Sequence, residues 1–169
     1  ESRIISLEQL QERYIRGQKK KIVCIFGGTG FVGRNLVQEF ASQGFIVKVA
    51  TRIPERAFFL KPYGQVGQIV PVVYTQDEKS ILETVTGSEI VINLIGLLYE
   101  KGRYSTFKKT HIELPSLIAK SCKKLGVKKL IHFSALGIDQ AKSQYATSKK
   151  IGEEQVLQEY PAAPILRPS

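Results

Sequence analysis

"KIVCIFGGTGFVGRNLVQEF", residues 21–40, is the stretch on which the architecture turns. Its opening run, Ile22 to Phe26, is apolar without alternation, as a strand covered on both faces of a parallel sheet requires. Gly27, Gly30 and Gly33 follow in a GxxGxxG spacing. Phe31, Leu36, Val37 and Phe40 then recur at helical intervals, and the pattern stops at Gly44, where left-handed backbone is cheap. Strand, glycine turn and helix in that order predict the first half of a crossover unit.

The same alternation continues outward. "FIVKVATR" (45–52) reads as a second strand and "QIVPVVY" (68–74) as a third, followed by a helix over "KSILETVTG" (79–87). "EIVINLIG" (89–96) precedes a long helix expected from Thr106 to Leu125. "KKLIHFSALG" (128–137) precedes another from about Tyr145 to Gln158, and "APILRP" (163–168) starts a sixth strand. Connections too long for hairpins imply right-handed crossovers and an α/β, doubly wound parallel sheet. The expectation is a Rossmann-type domain over residues 21–169, strand order 3-2-1-4-5-6, ending before a substrate-binding region. Ahead of it, residues 1–20 offer Ser6 as a cap and Leu7, Leu10, Tyr14 and Ile15 at helical spacing, which predicts a helical arm.

Composition narrows the classes. A chain of 169 residues that is 43% hydrophobic can bury one core. It has no run of about eighteen apolar residues and no signal-peptide core, so no transmembrane segment is expected and the chain reads as soluble. The sequence contains no methionine, which predicts a piece of a longer product. Cys24 and Cys122 lie in apolar segments without a CxxC or histidine partner, so reduced, buried thiols are expected and no metal site. The net charge of +10 is spread through lysine pairs such as Lys123/Lys124, Lys128/Lys129 and Lys149/Lys150. That pattern suits a solvated face turned to an acidic partner or an anionic membrane surface, and argues against nucleic acid.

The glycine turn carries chemistry because of its place. Gly27 permits a tight turn, Gly30 lets backbone approach a pyrophosphate, and Gly33 lets the helix pack on the strand. The helix start then offers free N–H groups and partial positive charge to the anion. At the end of the second strand, where an NAD site places an acid on the ribose 2′-hydroxyl, the chain has Ala50, Thr51 and Arg52. A guanidinium there can bind a 2′-phosphate, which favours NADP(H), with NAD(H) as the alternative and a merely solvated arginine as the plainer reading.

Downstream, "HFSALGIDQAKSQYATSKK" (132–150) holds Tyr145 and Lys149 at i, i+4 spacing on one helix face. With GxxGxxG, YxxxK and the terminal "LRPS" in order, residues 21–169 resemble the extended and atypical short-chain dehydrogenase/reductase superfamily. "CIFGGTGFVGR", "VINLIGLLYE", "LIHFSALG" and "EYPAAPILRPS" narrow the resemblance to the nucleotide-binding accessory subunits of respiratory complex I and their bacterial relatives.

That resemblance implies a bound NADPH without turnover, complex I subunits as partners, and a setting in the bacterial cytoplasm or on the cytoplasmic face of the inner membrane, or in the mitochondrial matrix if the protein is eukaryotic. It also implies a catalytic or cofactor-facing pair, Tyr145 as acid/base and Lys149 on the nicotinamide ribose, where the cation lowers the tyrosine pKa. The dinucleotide would be lined by Gly27, Thr29, Gly30, Phe31, Val32, Gly33, Arg52, Leu94, Ile95, Gly96, Ser134, Tyr145, Lys149 and Pro168. The chain departs from the superfamily pattern elsewhere. Ser134 sits before the usual position of the catalytic hydroxyl, where Ala135 and Leu136 stand. His111 replaces an asparagine that anchors a helix bend, and Tyr74 replaces an adenine-contacting aspartate. Asp77 reads as a helix cap, and a lone histidine at a helix start as structural. Three functions follow: an NADP(H)-binding accessory or assembly protein of NADH:quinone oxidoreductase, a working NADP-dependent reductase, epimerase or dehydratase, or an interaction protein with an empty pocket.

Overall fold

The computed structural model describes residues 6–8, 21–95, 108–134 and 144–167. A 6-stranded sheet is built from β1 (Ile22–Phe26), β2 (Ile46–Thr51), β3 (Ile69–Val73), β4 (Ile90–Asn93), β5 (Lys129–Phe133) and β6 (Ile165–Leu166). The pairs are parallel and the order is β3-β2-β1-β4-β5-β6, as the alternation of strands and helices predicts. The helices are α1 (Phe31–Ser42), α2 (Glu78–Val85), α3 (Leu114–Leu125) and α4 (Gln144–Glu159). β1 lies between β2 and β4, so the chain's direction of travel across the sheet reverses beside it, and a crevice at the carboxyl ends of the strands follows from that topology.

Alternation along β1 divides the core. Cys24 and Phe26 pack with Ile81, Val85, Leu114, Ile118 and Cys122 on one face. Val23 and Ile25 pack with Val37, Val47, Val49, Ala57 and Leu60 on the other. Each Val, Ile, Leu or Phe among them contributes about 1.5–3 kcal/mol by leaving water, which favours a continuously apolar β1. Cys24 and Cys122 are free and buried as expected, and burial pushes both thiols up to about 12.

The local signals act as chemistry predicts. Asp77 caps α2, its Oδ1 accepting from the Ser80 N–H at 2.9 Å. Gly44 has φ 87° just past α1, and Gly126, at φ 65°, ends α3. Lys48 reaches from β2 to the C-terminal end of α2, its Nζ donating to the Thr86 carbonyl at 2.8 Å, where the helix dipole favours a cation. Pro71 lies in β3. Because Gln68 accepts from, and Tyr74 donates to, β2, the alternation of a parallel ladder turns residue 71 towards the open edge, where its missing N–H leaves no ladder bond unmade.

Three sequence expectations need correction. Phe31 is not on the buried stripe of α1; it is 74% exposed, because the first helical residue stands over the glycine turn rather than over the sheet. The β2–β3 connection contains a 3-10 helix, Pro54–Tyr63, that the sequence reading left without structure. The helix expected from Thr106 is not uniformly α: Lys108–Glu113 is π-helical and α3 begins at Leu114, while residues 106 and 107 lie outside the described residues. Of the predicted arm only Ser6, Leu7 and Glu8 are described, and Leu7 is exposed. Among the described residues no helix is long and apolar enough to cross a membrane.

Candidate functional site

The phosphate cradle forms where β1 ends. The Phe26 carbonyl accepts from the Leu94 N–H at 2.8 Å, which sets the end of β4 beside the turn. Gly27 has φ 82°, and a Cβ there would lie 3.1 Å from both Leu94 C and Ile95 N. At Gly33 a Cβ would stand 2.5 Å from the backbone of Gly28, so only glycine lets α1 sit this close to the strand exit. Gly30 is the N-cap in extended conformation; it provides no side-chain cap, and no acid occupies the first turn. The first N–H groups of α1 therefore face an open turn together with the positive end of the helix, an arrangement that can bind a pyrophosphate. Thr29 and Val32 are half-buried beside it.

On the β2 side, the Thr51 Oγ1 accepts from the Ile53 N–H at 3.1 Å and fixes the bend that carries the exposed Arg52. Tyr74 is buried edge-on against Phe26, with ring centroids 5.2 Å apart. Burial raises its phenol against the opposing charge of Arg52. Arg34, which the sequence reading did not single out, stacks on Phe59 of the 3-10 helix at 5.9 Å.

On the β4–β5 side a buried polar cluster stands under the same edge. The Asn93 Oδ1 accepts from the Ile95 N–H at 3.0 Å, so its amide nitrogen is the end that donates to His132 Nδ1 at 3.1 Å, which puts the imidazole proton on Nε2. His111 takes the opposite tautomer. The Ser148 Oγ donates to the Tyr145 carbonyl at 2.8 Å, so it accepts from His111 Nδ1–H, also at 2.8 Å. The His111 ring meets the Tyr145 ring edge-on at 5.1 Å. Burial, and next the Lys149 charge, hold both histidines down at about 4.

Lys149 is only 2% exposed. Burial lowers its ammonium to about 8, against a smaller pull upward from Glu153. Burial, the largest single effect, would raise the Glu153 carboxyl, but the bidentate bonds from Arg167 Nε (2.9 Å) and a terminal nitrogen (2.7 Å), with the Ser134 hydroxyl and the charges of Arg167 and His132, together hold it below the usual carboxylate value. Ser134 is fully buried, and its Oγ makes no hydrogen bond of ordinary length, although it stands near enough to Glu153 to favour the carboxylate.

Burial raises the Tyr145 phenol, and the Lys149 charge, one turn along the helix, acts on His111 and His132. Gly27, Thr29, Gly30, Phe31, Val32, Gly33, Arg52, Leu94, Ile95, Ser134, Tyr145 and Lys149 all follow strand ends or begin helices at the sheet's carboxyl edge. Gly96 and Pro168 lie outside the described residues. The sequence reading missed Asn93 and His132, whose signal was a polar residue inside each of the apolar runs "VIN" and "LIHF".

Strand order, glycine turn and the Tyr/Lys helix together define a Rossmann-type, NAD(P)-binding protein of the short-chain dehydrogenase/reductase kind. Residues 19–155 match the NmrA-like family, and the chain belongs to it. It is 37% identical over 151 residues to NADH dehydrogenase [ubiquinone] 1 alpha subcomplex subunit 9, mitochondrial, of Dictyostelium discoideum, covering 88% of this chain and 42% of that one. The Mus musculus counterpart is 33% identical over 88% of this chain and 40% of its own. The chain thus spans about two-fifths of the length of these relatives. Among solved structures, the Bordetella bronchiseptica enzyme WbmG in complex with NAD superposes with a TM-score of 0.70 at 19% identity, over 88% of this chain and 52% of that one.

Proposed function

We propose that residues 21–169 are the dinucleotide-holding domain, and residues 1–20 an arm, of an accessory or assembly subunit of a respiratory NADH:quinone oxidoreductase. NADP(H) is its fixed structural ligand, with NAD(H) the weaker competitor. One contrast carries the reading. The cradle at Gly27, Gly30 and Gly33 leaves space and backbone N–H groups that suit a pyrophosphate, whereas the Ser134 hydroxyl, which hydride chemistry would use, is fully buried. Binding needs only the first; hydride chemistry needs both. The relatives are mitochondrial proteins, which supports a setting in the mitochondrial matrix for a eukaryotic protein; for a bacterial one the place is the cytoplasm or the cytoplasmic face of the inner membrane. The charge of +10 suits acidic neighbouring subunits or anionic lipid.

The test is the nucleotide itself. Full-length protein should release NADP(H) on denaturation, read by mass spectrometry. NADPH should raise the melting temperature more than NADH, and Arg52→Ala should remove most of a preference of about 10- to 150-fold, the equivalent of one charge-assisted bond. Equal shifts with both cofactors would end the argument from Arg52. A second reading, an NADP-dependent reductase, epimerase or dehydratase, is supported by Lys149 one turn beyond Tyr145. It requires turnover with NADPH that Tyr145→Phe abolishes while binding persists.

A further inference from the structure

The π-helical turn has a cause in the sequence and a counterpart across the fold. Pro115 stands four residues after His111 and has no N–H, so the His111 carbonyl cannot accept the bond that an α-helix would supply there. The chain answers with a π turn over Lys108–Glu113 before α3 begins. The His111 carbonyl oxygen then points at α4: a Cβ built on Gly152 would lie 1.8 Å from it and 3.0 Å from the carbonyl carbon. No residue but glycine fits at that point of α4. Gly152 shares a helix face with Tyr145 and Lys149, at i+7 and i+3 from them. On the same side, His111 also grips Ser148 at 2.8 Å and meets the Tyr145 ring at 5.1 Å.

We infer that Pro115, the His111 carbonyl and Gly152 form a backbone pin that seats α4, and that its purpose is to hold Tyr145 and Lys149 for one half only of a bound dinucleotide. The inference rests on the reading of the site as a dinucleotide site. Arg52 follows β2, on one side of the cradle, and Tyr145 and Lys149 lie on the β4–β5 side. The adenosine half therefore belongs with Arg52 and the nicotinamide half with α4. Gly152 and Pro115 are positioning residues; neither needs to touch the ligand.

The pin is tested in full-length protein with Gly152→Ala, which puts a methyl group where the carbonyl stands, and Pro115→Ala, which returns the missing donor without adding bulk. Two ligands are compared, NADPH and 2′,5′-ADP, which carries the adenosine half and its 2′-phosphate alone. Both variants should lose NADPH affinity by on the order of tenfold, the equivalent of about one polar contact, and keep 2′,5′-ADP affinity. Equal losses for both ligands, or unchanged NADPH binding, would overturn the proposal. If Gly152→Ala does not fold, Pro115→Ala decides.

A reading independent of ligand comes from the nuclear Overhauser contact between the His111 and Tyr145 rings. It should weaken in both variants, and its full retention sinks the pin whatever binds. Wild-type protein that shows this contact but binds neither ligand would refute the dinucleotide reading and, with it, the assignment of the pin to nicotinamide.

Discussion

Burying Lys149 takes an ammonium out of water, and its displacement from 10.5 to about 8 measures the cost. The unfolded chain binds this proton up to pH 10.5 and the native state only up to about 8. The penalty is therefore complete below pH 8, falls as pH rises between the two values, and vanishes above the upper one. Its size is roughly 3 kcal/mol. Lys149→Met should raise stability at pH 7 by an amount of that order while weakening the dinucleotide, and the difference between wild type and variant in urea unfolding should shrink from pH 8 to 10.5. A constant difference across that range would show that the ammonium is solvated. Gly33 presents the opposite case, a residue whose value is the space it leaves. Gly33→Ala gains about 1 kcal/mol of helix propensity, but a Cβ 2.5 Å from Gly28 meets backbone that cannot turn aside. The clash should win, with a net loss of about 1–3 kcal/mol in denaturant titrations. Gly28→Ala should be milder, since its nearest neighbour is a Val49 methyl at 3.2 Å.

At the scale of elements, α2 is short, and its start depends on one carboxylate. Asp77 accepts from the Ser80 N–H and also bonds the Thr75 hydroxyl, so Asp77→Ala should cost about 1 kcal/mol; Asp77→Asn, which keeps the acceptor, should recover most of it. Both are read from thermal melts. α2 was legible because cap and apolar spacing lie within a few residues of each other. The 3-10 helix Pro54–Tyr63 was not. It holds Pro62 inside, buries Ala57 and Leu60 and leaves Phe58 and Phe59 exposed, so the three-residue spacing of the buried pair is hidden within a contiguous apolar run. The π turn was half legible. Pro115 marks a helix disturbed just upstream, but the neighbour that receives the His111 carbonyl is Gly152, on another helix, and no local pattern joins them. Tyr145 and Lys149 were legible by spacing, while the burial of the ammonium and its charge neighbours Glu153, His111 and His132 depended on the packed fold.

For the molecule as a whole, the strand order was readable because mainly apolar strands with long connections leave few alternatives, β1 being apolar throughout and β2 to β5 broken only by single residues such as Lys48 and His132. What limits a parallel sheet is its border. Pro71 presents no donor on the outer side of β3, so a second chain laid along that border would find its row of partners interrupted halfway, beside the exposed Val70 and Val73. On that geometry the ring should hinder copies from pairing along a border that exposes Val70 and Val73. Pro71→Val should leave the melting temperature within a few degrees of wild type, because the lost ring served no ladder bond, yet light scattering during refolding at high concentration should rise. If the substituted protein refolds as cleanly as the parent, the proline is not what keeps neighbouring copies apart.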